Sequence, residues 1–365
     1  MAKLRGTYRT VKYLMWSMTH RTPRVGYAYR VRGPNRAKNL GDELMYYADK
    51  KLFYRCNLLN TFGGRSLRLA TQIYPLFDVI LLGGGTLIHG YTEPLKAFRS
   101  CMEVCPSAFV FGTGVADPIF WTGHPHYKDL LSEWVSTLRR CKFVGVRGPI
   151  SAEILVNGGL KNVEVVGDPV LALADDANAG AHHPGTIGFN VGQSYGDVWG
   201  KEEEIFAQFT ILARLARQAG WSVKWFVVWA EDLEVTRRVA EASGTAAQIH
   251  KIYADYDGFL NLVRPLGVFV GLKLHAVALA TCAYVPSVML EYRPKCRDYM
   301  RAIGQDEATI RTDRFVAEEV WEIATTFESR RQELSKRLYS SIKLAHDRQR
   351  QMAEILMATM EGLRK

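Results

Sequence analysis

The chain has 365 residues, of which 48% are hydrophobic and 23% charged, and its formal net charge is +10. This is the composition of an ordinary globular protein, and the length exceeds what a single hydrophobic core usually supports, so we expect two domains. No apolar run approaches the roughly 20 residues that cross a bilayer, and the first residues lack the apolar core of a secretion signal. We therefore expect a cytoplasmic protein with reduced cysteines, since none of the six forms a Cys-x-x-Cys pair.

The excess positive charge lies at the start of the chain, where no acidic residue precedes Asp42. Apolar residues recur there at helical spacing, which predicts a basic amphipathic segment over residues 1–22: Leu4, Tyr8, Val11, Met15 and Met18. Such a helix either lies on an anionic membrane surface or packs on its own domain with a solvated basic face, and both interpretations stay open. Nucleic-acid binding is disfavoured because no recognised reader motif accompanies the charge.

Residues 23–178 repeat the order strand, turn, helix, which predicts an α/β domain. Asn39 is the predicted N-cap of the first helix, which begins near Asp42. Two short apolar strands then run into glycine clusters, and a third runs into Arg147. Glycines at such positions let a backbone approach a ligand closely, although tight turns also account for them: Gly83, Gly84, Gly85, Gly112 and Gly114.

A second α/β set is predicted over residues 186–312, after a linker rich in Ala, Asp, Gly and His. Its most informative feature is an apolar strand that runs directly into Lys273 and His275, at the start of a helix of small residues. The next strand ends in a further set of polar residues: Glu291, Tyr292, Arg293 and Lys295. Open α/β sheets bind ligands at the carboxyl ends of their strands, so we predict an anion site here. The alternative is a core histidine beside solvated cations.

Residues 313–365 contain no proline, and no glycine before Gly362, while apolar residues recur every three to four positions. This pattern predicts one very long helix or two joined helices. The helices either brace the two domains or form a coiled coil between subunits of a homo-oligomer, and we favour bracing.

The order of these motifs resembles that of the polysaccharide pyruvyl transferase family. The resemblance rests on Asn39-x-Gly41-Asp42, Asp78 with Gly83-Gly84-Gly85, Gly112-x-Gly114-Val115, Val146-Arg147 with Ser151, Gly167-Asp168-Pro169, Leu272-Lys273-Leu274-His275 and Tyr292-Arg293-Pro294-Lys295. Two positions depart from the family pattern. Lys273 stands where the family usually has arginine, and Gly148 stands where an acidic residue commonly follows Arg147.

The resemblance implies a GT-B-like architecture, in which two Rossmann-like domains face a cleft. It implies transfer of the enolpyruvyl group of phosphoenolpyruvate to two hydroxyls of a sugar, giving a pyruvate ketal and phosphate. His275 would be the acid, and phosphoenolpyruvate would be bound by Arg147, Lys273, Arg293 and Lys295. The acceptor or the backbone of the cleft would involve Asn39, Gly41, Asp42, Gly84, Gly85, Gly114, Glu291 and Tyr292.

This chemistry requires neither a metal nor another cofactor, because cationic side chains can neutralise the donor. The acceptor would be a glycan or a lipid-linked sugar, and the basic N-terminal segment would then hold the enzyme at the inner face of the cell membrane. Two other functions stay open. One is a GT-B glycosyltransferase that uses a nucleotide sugar, and the other is a non-catalytic assembly protein in which the C-terminal helices mediate oligomerisation.

Overall fold

A computed structural model describes residues 22–28, 39–60, 77–121, 126–174, 182–253 and 255–363. Residues 1–21 of the predicted basic amphipathic segment lie outside this part of the chain. The described residues divide into two compact units. Among the described residues, the first unit contains 22–28, 45–60, 77–121, 126–172 and 348–363, and the second contains 39–44, 173–174, 182–253 and 255–347. Within the described ranges, no helix is both long enough and apolar enough to cross a membrane.

The first unit is built on a parallel sheet, whose order is β2-β1-β3-β5-β6-β7, with β4 paired to β5. Its strands are β1 (Arg24–Ala28), β2 (Asn57–Asn60), β3 (Val79–Leu82), β4 (Gly85–Ile88), β5 (Ala108–Val115), β6 (Phe143–Val146) and β7 (Val163–Val165). Strands β3 and β5 are buried throughout, as expected of parallel strands that are covered on both faces. Helices α1 (Leu40–Leu52), α2 (Thr92–Val104), α3 (Tyr127–Leu138) and α4 (Pro149–Asn157) connect them, and the first residues of α1 group with the second unit.

The glycine clusters of this unit both contribute to strands, rather than only to the tight turns that were the alternative interpretation. Gly85 begins β4, and β5 continues through Gly112 and Gly114 to Val115. Gly112 has a φ of 72°, and the pairing of β5 with β6 shifts register next to it. A glycine with positive φ permits such a bulge without ending the strand. The apolar strand predicted to run into this glycine cluster therefore continues through it to Val115 and is longer than expected.

The second unit is a parallel sheet of order β10-β9-β8-β11-β12-β13. Its strands are β8 (Thr186–Asn190), β9 (Ser222–Val227), β10 (Ile249–Lys251), β11 (Val268–Gly271), β12 (Ser287–Glu291) and β13 (Thr309–Arg311). Numbered within the unit, this is the order 3-2-1-4-5-6 of a dinucleotide-binding Rossmann sheet. The helices between them are α5 (Glu202–Gln218), α6 (Leu233–Ser243), α7 (Tyr256–Val263), α8 (Leu274–Cys282) and α9 (Pro294–Ala302).

The C-terminal region forms two joined helices, as the spacing of apolar residues predicts. They are α10 (Ala317–Ser329) and α11 (Arg331–Gly362), with Arg330 between them. The residues of α11 up to Asp347 group with the second unit, and those from Arg348 onwards group with the first. The bracing role of these helices stays a prediction.

Candidate active site at the carboxyl edge of the second sheet

The order of the second sheet defines one position where a ligand is expected. Strands β8 and β11 are neighbours, and the chain proceeds from β8 towards one edge of the sheet and from β11 towards the other. Ligands of open α/β sheets bind outside the carboxyl ends of the two strands at such a switch point. Gly192 and Gln193 follow β8, and Lys273 and His275 follow β11.

Lys273 is held across this switch point by both strands. Its backbone N–H donates to Asn190 Oδ1 over 2.9 Å. Its Nζ donates to the carbonyl of Gln193 and lies 3.3 Å from Asp232 Oδ1. The same ammonium lies 4.9 Å from the centre of the Trp229 ring. The cation is thus fixed by a carboxylate, a carbonyl and an aromatic face.

Asp232 is the buried partner of this cation. Its Oδ1 accepts the backbone N–H of Gln193 at 2.9 Å, and its Oδ2 has no hydrogen-bond partner among the described residues. Burial raises the pKa of Asp232 to about 6, while Lys273 opposes this shift. Gly192 makes the arrangement sterically feasible, because a Cβ there would lie 2.4 Å from both Asp232 Cγ and Lys273 Cε.

His275 is the second residue of α8 and is half-buried. Gly41 lies directly against its ring, since a Cβ on Gly41 would be 2.2 Å from His275 Nδ1. The Asn39 side chain accepts the Gly41 N–H at 3.0 Å, which confirms the predicted N-cap of α1. Leu40 N–H donates to the Val228 carbonyl at 2.9 Å, just beyond β9. The Asn39-x-Gly41 motif therefore packs on the switch-point edge of the second unit.

Replacing Gly41 with alanine is expected to displace the His275 ring. Alanine suits a helix and would ordinarily stabilise it by about 0.5–1 kcal/mol, but here its methyl group overlaps the imidazole. We expect no gain in melting temperature and an altered His275 imidazole spectrum in 15N NMR. Gly362→Ala is the matched control, because a Cβ at this helical position would meet no atom within 4 Å. Identical behaviour of the two variants would contradict the contact.

Asp42 follows in α1, and its side chain lies outside the described parts.

Three cations surround the ring of Tyr292, which is 5% exposed. Lys273 Nζ, Arg293 Cζ and Lys295 Nζ lie 5.7, 5.2 and 4.9 Å from the centre of this ring. Arg293 also donates to the Asp197 carbonyl at 2.8 Å and to Asp197 Oδ2 at 3.2 Å, in the loop after β8. Burial raises the pKa of Tyr292, so the phenol stays neutral at physiological pH. The carboxyl ends of β11 and β12 thus bring the predicted cations of this unit together.

Glu291 belongs to a different set of contacts. It is 3% exposed, and its Oε2 accepts from Arg297 Nε at 2.8 Å. Arg297 also pairs with Asp306 at 2.7 Å. Burial raises the pKa of Glu291, and Arg297 opposes the shift. These contacts join β12 to α9 and the segment after it.

Arg147 is buried within the first unit, where it follows β6. Its Nη2 donates to Thr86 Oγ1 at 2.9 Å, and its Nη1 lies 3.7 Å from Asp168 Oδ2. Gly114 provides the space for the guanidinium, because a Cβ there would be 1.7 Å from Arg147 Nη2. A glycine in the predicted cluster therefore accommodates a side chain of the same unit.

Gly84 is adjacent to a second buried carboxylate, Asp49. Asp49 Oδ2 accepts a hydrogen bond from the Tyr27 hydroxyl. It also accepts one from the backbone N–H of Gly84 at 3.4 Å. Burial raises the pKa of Asp49 to about 7. Gly85 has a φ of 88°, a conformation that favours glycine.

The raised pKa of Asp49 predicts a pH-dependent stability. The folded state binds the proton more tightly than the unfolded state, whose pKa is near 3.8, so stability falls as pH rises from about 4 through about 7. In Asp49→Asn this loss is absent. The free energy of unfolding of the variant should therefore gain on wild type by about 3 kcal/mol between pH 5 and pH 8, measured in urea. Asp129→Asn, at an exposed position of α3, is the control and should follow wild type. Parallel curves for Asp49→Asn and wild type would contradict the assignment.

Several residues of the switch point were not predicted from the sequence. Trp229 and Asp232 follow β9, and Gln193 and Tyr195 follow β8. Tyr195 has a φ of 55°, is 62% exposed and donates to Glu231 Oε2 at 2.6 Å. The signal that would have found them is their position, because each follows an apolar strand: β8 pairs with β11, the strand that precedes Lys273, and β9 pairs with β8.

No group of three or more His, Cys, Asp or Glu side chains within the described ranges is arranged to hold a metal ion. The cations around the Tyr292 ring suit an anion. Lys273, Arg293 and Lys295 contribute positive charge, and the N-terminus of α8 adds the favourable end of a helix dipole.

The fold and this edge define an α/β protein with two parallel-sheet units of the GT-B-like class. A UDP-glucosyltransferase of Polygonum tinctorium, in complex with 3,4-dichloroaniline, is similar at 12% identity and a TM-score of 0.51 over 91% of this chain and 99% of the other. MnaA of S. aureus, in a structure with UDP, is similar at 12% identity and a TM-score of 0.53 over 87% and 90%. These similarities support the predicted fold class, with its parallel sheets and long C-terminal helix.

The family follows from the sequence itself. The model of the polysaccharide pyruvyl transferase family matches residues 10–294. None of the curated proteins matches the chain. The chain belongs to the polysaccharide pyruvyl transferase family, and the resemblance inferred from its ordered motifs is thereby confirmed.

Proposed function

We propose that the protein transfers the enolpyruvyl group of phosphoenolpyruvate to two hydroxyls of a sugar, forming a pyruvate ketal and releasing phosphate. The observation that carries the proposal is the grouping of Lys273, Arg293 and Lys295 around the Tyr292 ring, at the carboxyl ends of β11 and β12. His275 follows Lys273 by two positions at the start of α8. Phosphoenolpyruvate has a phosphate and a carboxylate on a three-carbon frame, so its site needs several cations within a few ångströms. Membership of the family agrees with this donor.

Asp232 gives the donor site a means of adjusting its charge. When the site is empty, the Asp232 carboxylate offsets Lys273 at 3.3 Å. The pKa of Asp232, already raised to about 6, would rise further beside an anion, because like charges disfavour the ionised form. Binding of the donor would then be accompanied by proton uptake, and Lys273 would direct its full charge to the ligand.

His275 is the proposed acid. It would protonate the methylene carbon of the donor, converting it to a methyl group and leaving C2 open to attack. The first sugar hydroxyl adds to C2 and loses its proton. Phosphate then leaves with the C–O bonding electrons, and the second hydroxyl closes the ketal ring and loses its proton. Of the two hydroxyl protons, one replaces the proton given to the methylene carbon and the other leaves with phosphate. Gly41 would position the imidazole, and Asp42 is the candidate base for the acceptor.

The first unit is proposed to contribute to binding of the donor and of the acceptor. Arg147, which is buried 3.7 Å from Asp168, stays a proposed further cation for the donor. Gly84, Gly85 and Gly114 would let the backbone approach the acceptor. A lipid-linked acceptor would explain the basic residues at the start of the chain, through binding at the inner face of the membrane.

The experiment that tests the function is phosphate release from phosphoenolpyruvate in the presence of glycan acceptors, with mass spectrometry of the glycan. The proposal predicts acceptor-dependent phosphate release and the mass of one pyruvate ketal on the product. Thermal stabilisation by UDP-sugars, without an effect of phosphoenolpyruvate, would instead support a glycosyltransferase. An absence of both effects would support the non-catalytic assembly protein.

A further inference from the structure

A cluster of aromatic rings lies at the carboxyl ends of β4 and β5 in the first unit. His89 and Tyr91 follow β4, and Trp121 ends the described segment after β5. The His89 and Trp121 rings are stacked, with 10° between their planes and 6.1 Å between their centres. The Tyr91 ring meets both edge-on, at 5.2 Å from His89 and 5.6 Å from Trp121. We call His89, Tyr91 and Trp121 the aromatic platform.

The aromatic platform is partly exposed and held by its surroundings. Tyr91 is 50% exposed, and neighbouring Ile119 is 74% exposed. The backbone N–H of Tyr91 donates to His89 Nδ1 at 3.1 Å, and the backbone N–H of Trp121 donates to the Asp117 carbonyl at 3.1 Å. Trp121 also rests 6.3 Å from the buried ring of Tyr127. Exposed apolar surface that is fixed in this way is typical of a binding site rather than of a solvated loop.

The chemistry of the platform fits a sugar ring. A pyranose has apolar C–H faces, which pack on aromatic rings such as those of Tyr91 and Trp121. The platform also lies at the strand ends where α/β sheets bind their ligands. We infer that the aromatic platform binds a sugar ring of the glycan acceptor.

The assignment of that sugar as the acceptor rests on the proposed function, but binding itself does not. Binding is therefore measured first without phosphoenolpyruvate, by saturation-transfer NMR and calorimetry. The probes are methyl glycosides and disaccharides of glucose, galactose and mannose. We expect at least one probe to bind wild type, Trp121→Ala to bind it at least tenfold more weakly, and Trp121→Phe to retain most of the affinity.

Tyr54→Ala is the matched control, because Tyr54 is a 63% exposed aromatic residue of the same unit outside the platform. It should bind the probe as wild type does. Melting curves of all variants must coincide within a few degrees, and Tyr91→Ala, which should weaken probe binding in the same direction, provides the test if Trp121→Ala does not fold. Equal affinities of wild type and Trp121→Ala, or of wild type and Tyr91→Ala where that variant is used instead, or no binding of any probe to wild type, would overturn the inference.

Kinetics separate this inference from the proposed function. In a working pyruvyl transfer assay, Trp121→Ala should raise the KM for the acceptor at least tenfold and leave the KM for phosphoenolpyruvate within twofold. Trp121-dependent sugar binding without any phosphate release would support the platform and contradict the proposed function. Phosphate release with an unchanged acceptor KM in Trp121→Ala would support the proposed function and contradict the platform.

Discussion

The His275→Gln variant is expected to lower kcat for acceptor-dependent phosphate release by roughly 10²- to 10⁴-fold, the usual contribution of a positioned acid. Glutamine approximates the size of the imidazole but cannot protonate a carbon at neutral pH. Because Lys273, Arg293 and Lys295 are unchanged, the affinity for phosphoenolpyruvate should stay within a few-fold of wild type. Steady-state kinetics with calorimetric titration of the donor separate the two effects.

His183→Gln is the control for this experiment, since His183 is an exposed histidine of the same unit. It should keep wild-type kinetics. A His275→Gln variant with kcat within threefold of wild type would remove His275 from the mechanism. An equal loss in donor affinity and kcat would assign His275 to binding instead.

The Lys273→Gln variant is expected to lose both donor affinity and stability. Loss of a charged hydrogen bond to the donor weakens binding by about 10- to 100-fold. The variant also leaves Asp232, which is fully buried, without its cation, and breaking such a pair costs about 3–5 kcal/mol. This cost should shrink below pH 6, because protonation of Asp232 then removes the buried charge. Calorimetry with phosphoenolpyruvate and urea unfolding at pH 5 and pH 8 measure the two effects.

Substituting Asp232 shows whether the Lys273–Asp232 pair serves donor binding or only stability. Lys273→Gln combined with Asp232→Asn should regain most of the lost stability but none of the donor affinity. Asp232→Asn alone keeps the cation and should bind phosphoenolpyruvate at least as tightly as wild type. If Asp232→Asn weakens donor binding as much as Lys273→Gln does, the pair supports the fold and does not serve the donor.

Much of the fold could be predicted because parallel strands buried on both faces appear in the sequence as short apolar runs between glycines. The strand at Val268 to Gly271 is an example, with a continuous apolar run and a charged residue just after it. Strand β5 was predicted too short, because the positive φ of Gly112 and the register shift beside it depend on pairing with β6. Such a bulge is set by contacts between strands that are distant in the chain.

The cations of the candidate site could be predicted from their position after strands, and their neutralising partners could not. Lys273 meets Asp232 because β9 lies beside β8, an order that no local pattern reveals. The contact of Gly41 with His275 joins residues more than 200 positions apart in the chain, and the sequence offered only the isolated motif. A glycine that provides space for a side chain can be recognised only once the neighbouring side chain is known.

The most direct test of the account is a crystal structure of the protein with phosphoenolpyruvate bound. We predict ligand density outside the carboxyl ends of β8 and β11. An anionic oxygen of the ligand should lie within hydrogen-bonding distance of Lys273 Nζ, and its methylene carbon should face the His275 ring. Density at any other position, or a bound donor that contacts neither Lys273 nor His275, would contradict it.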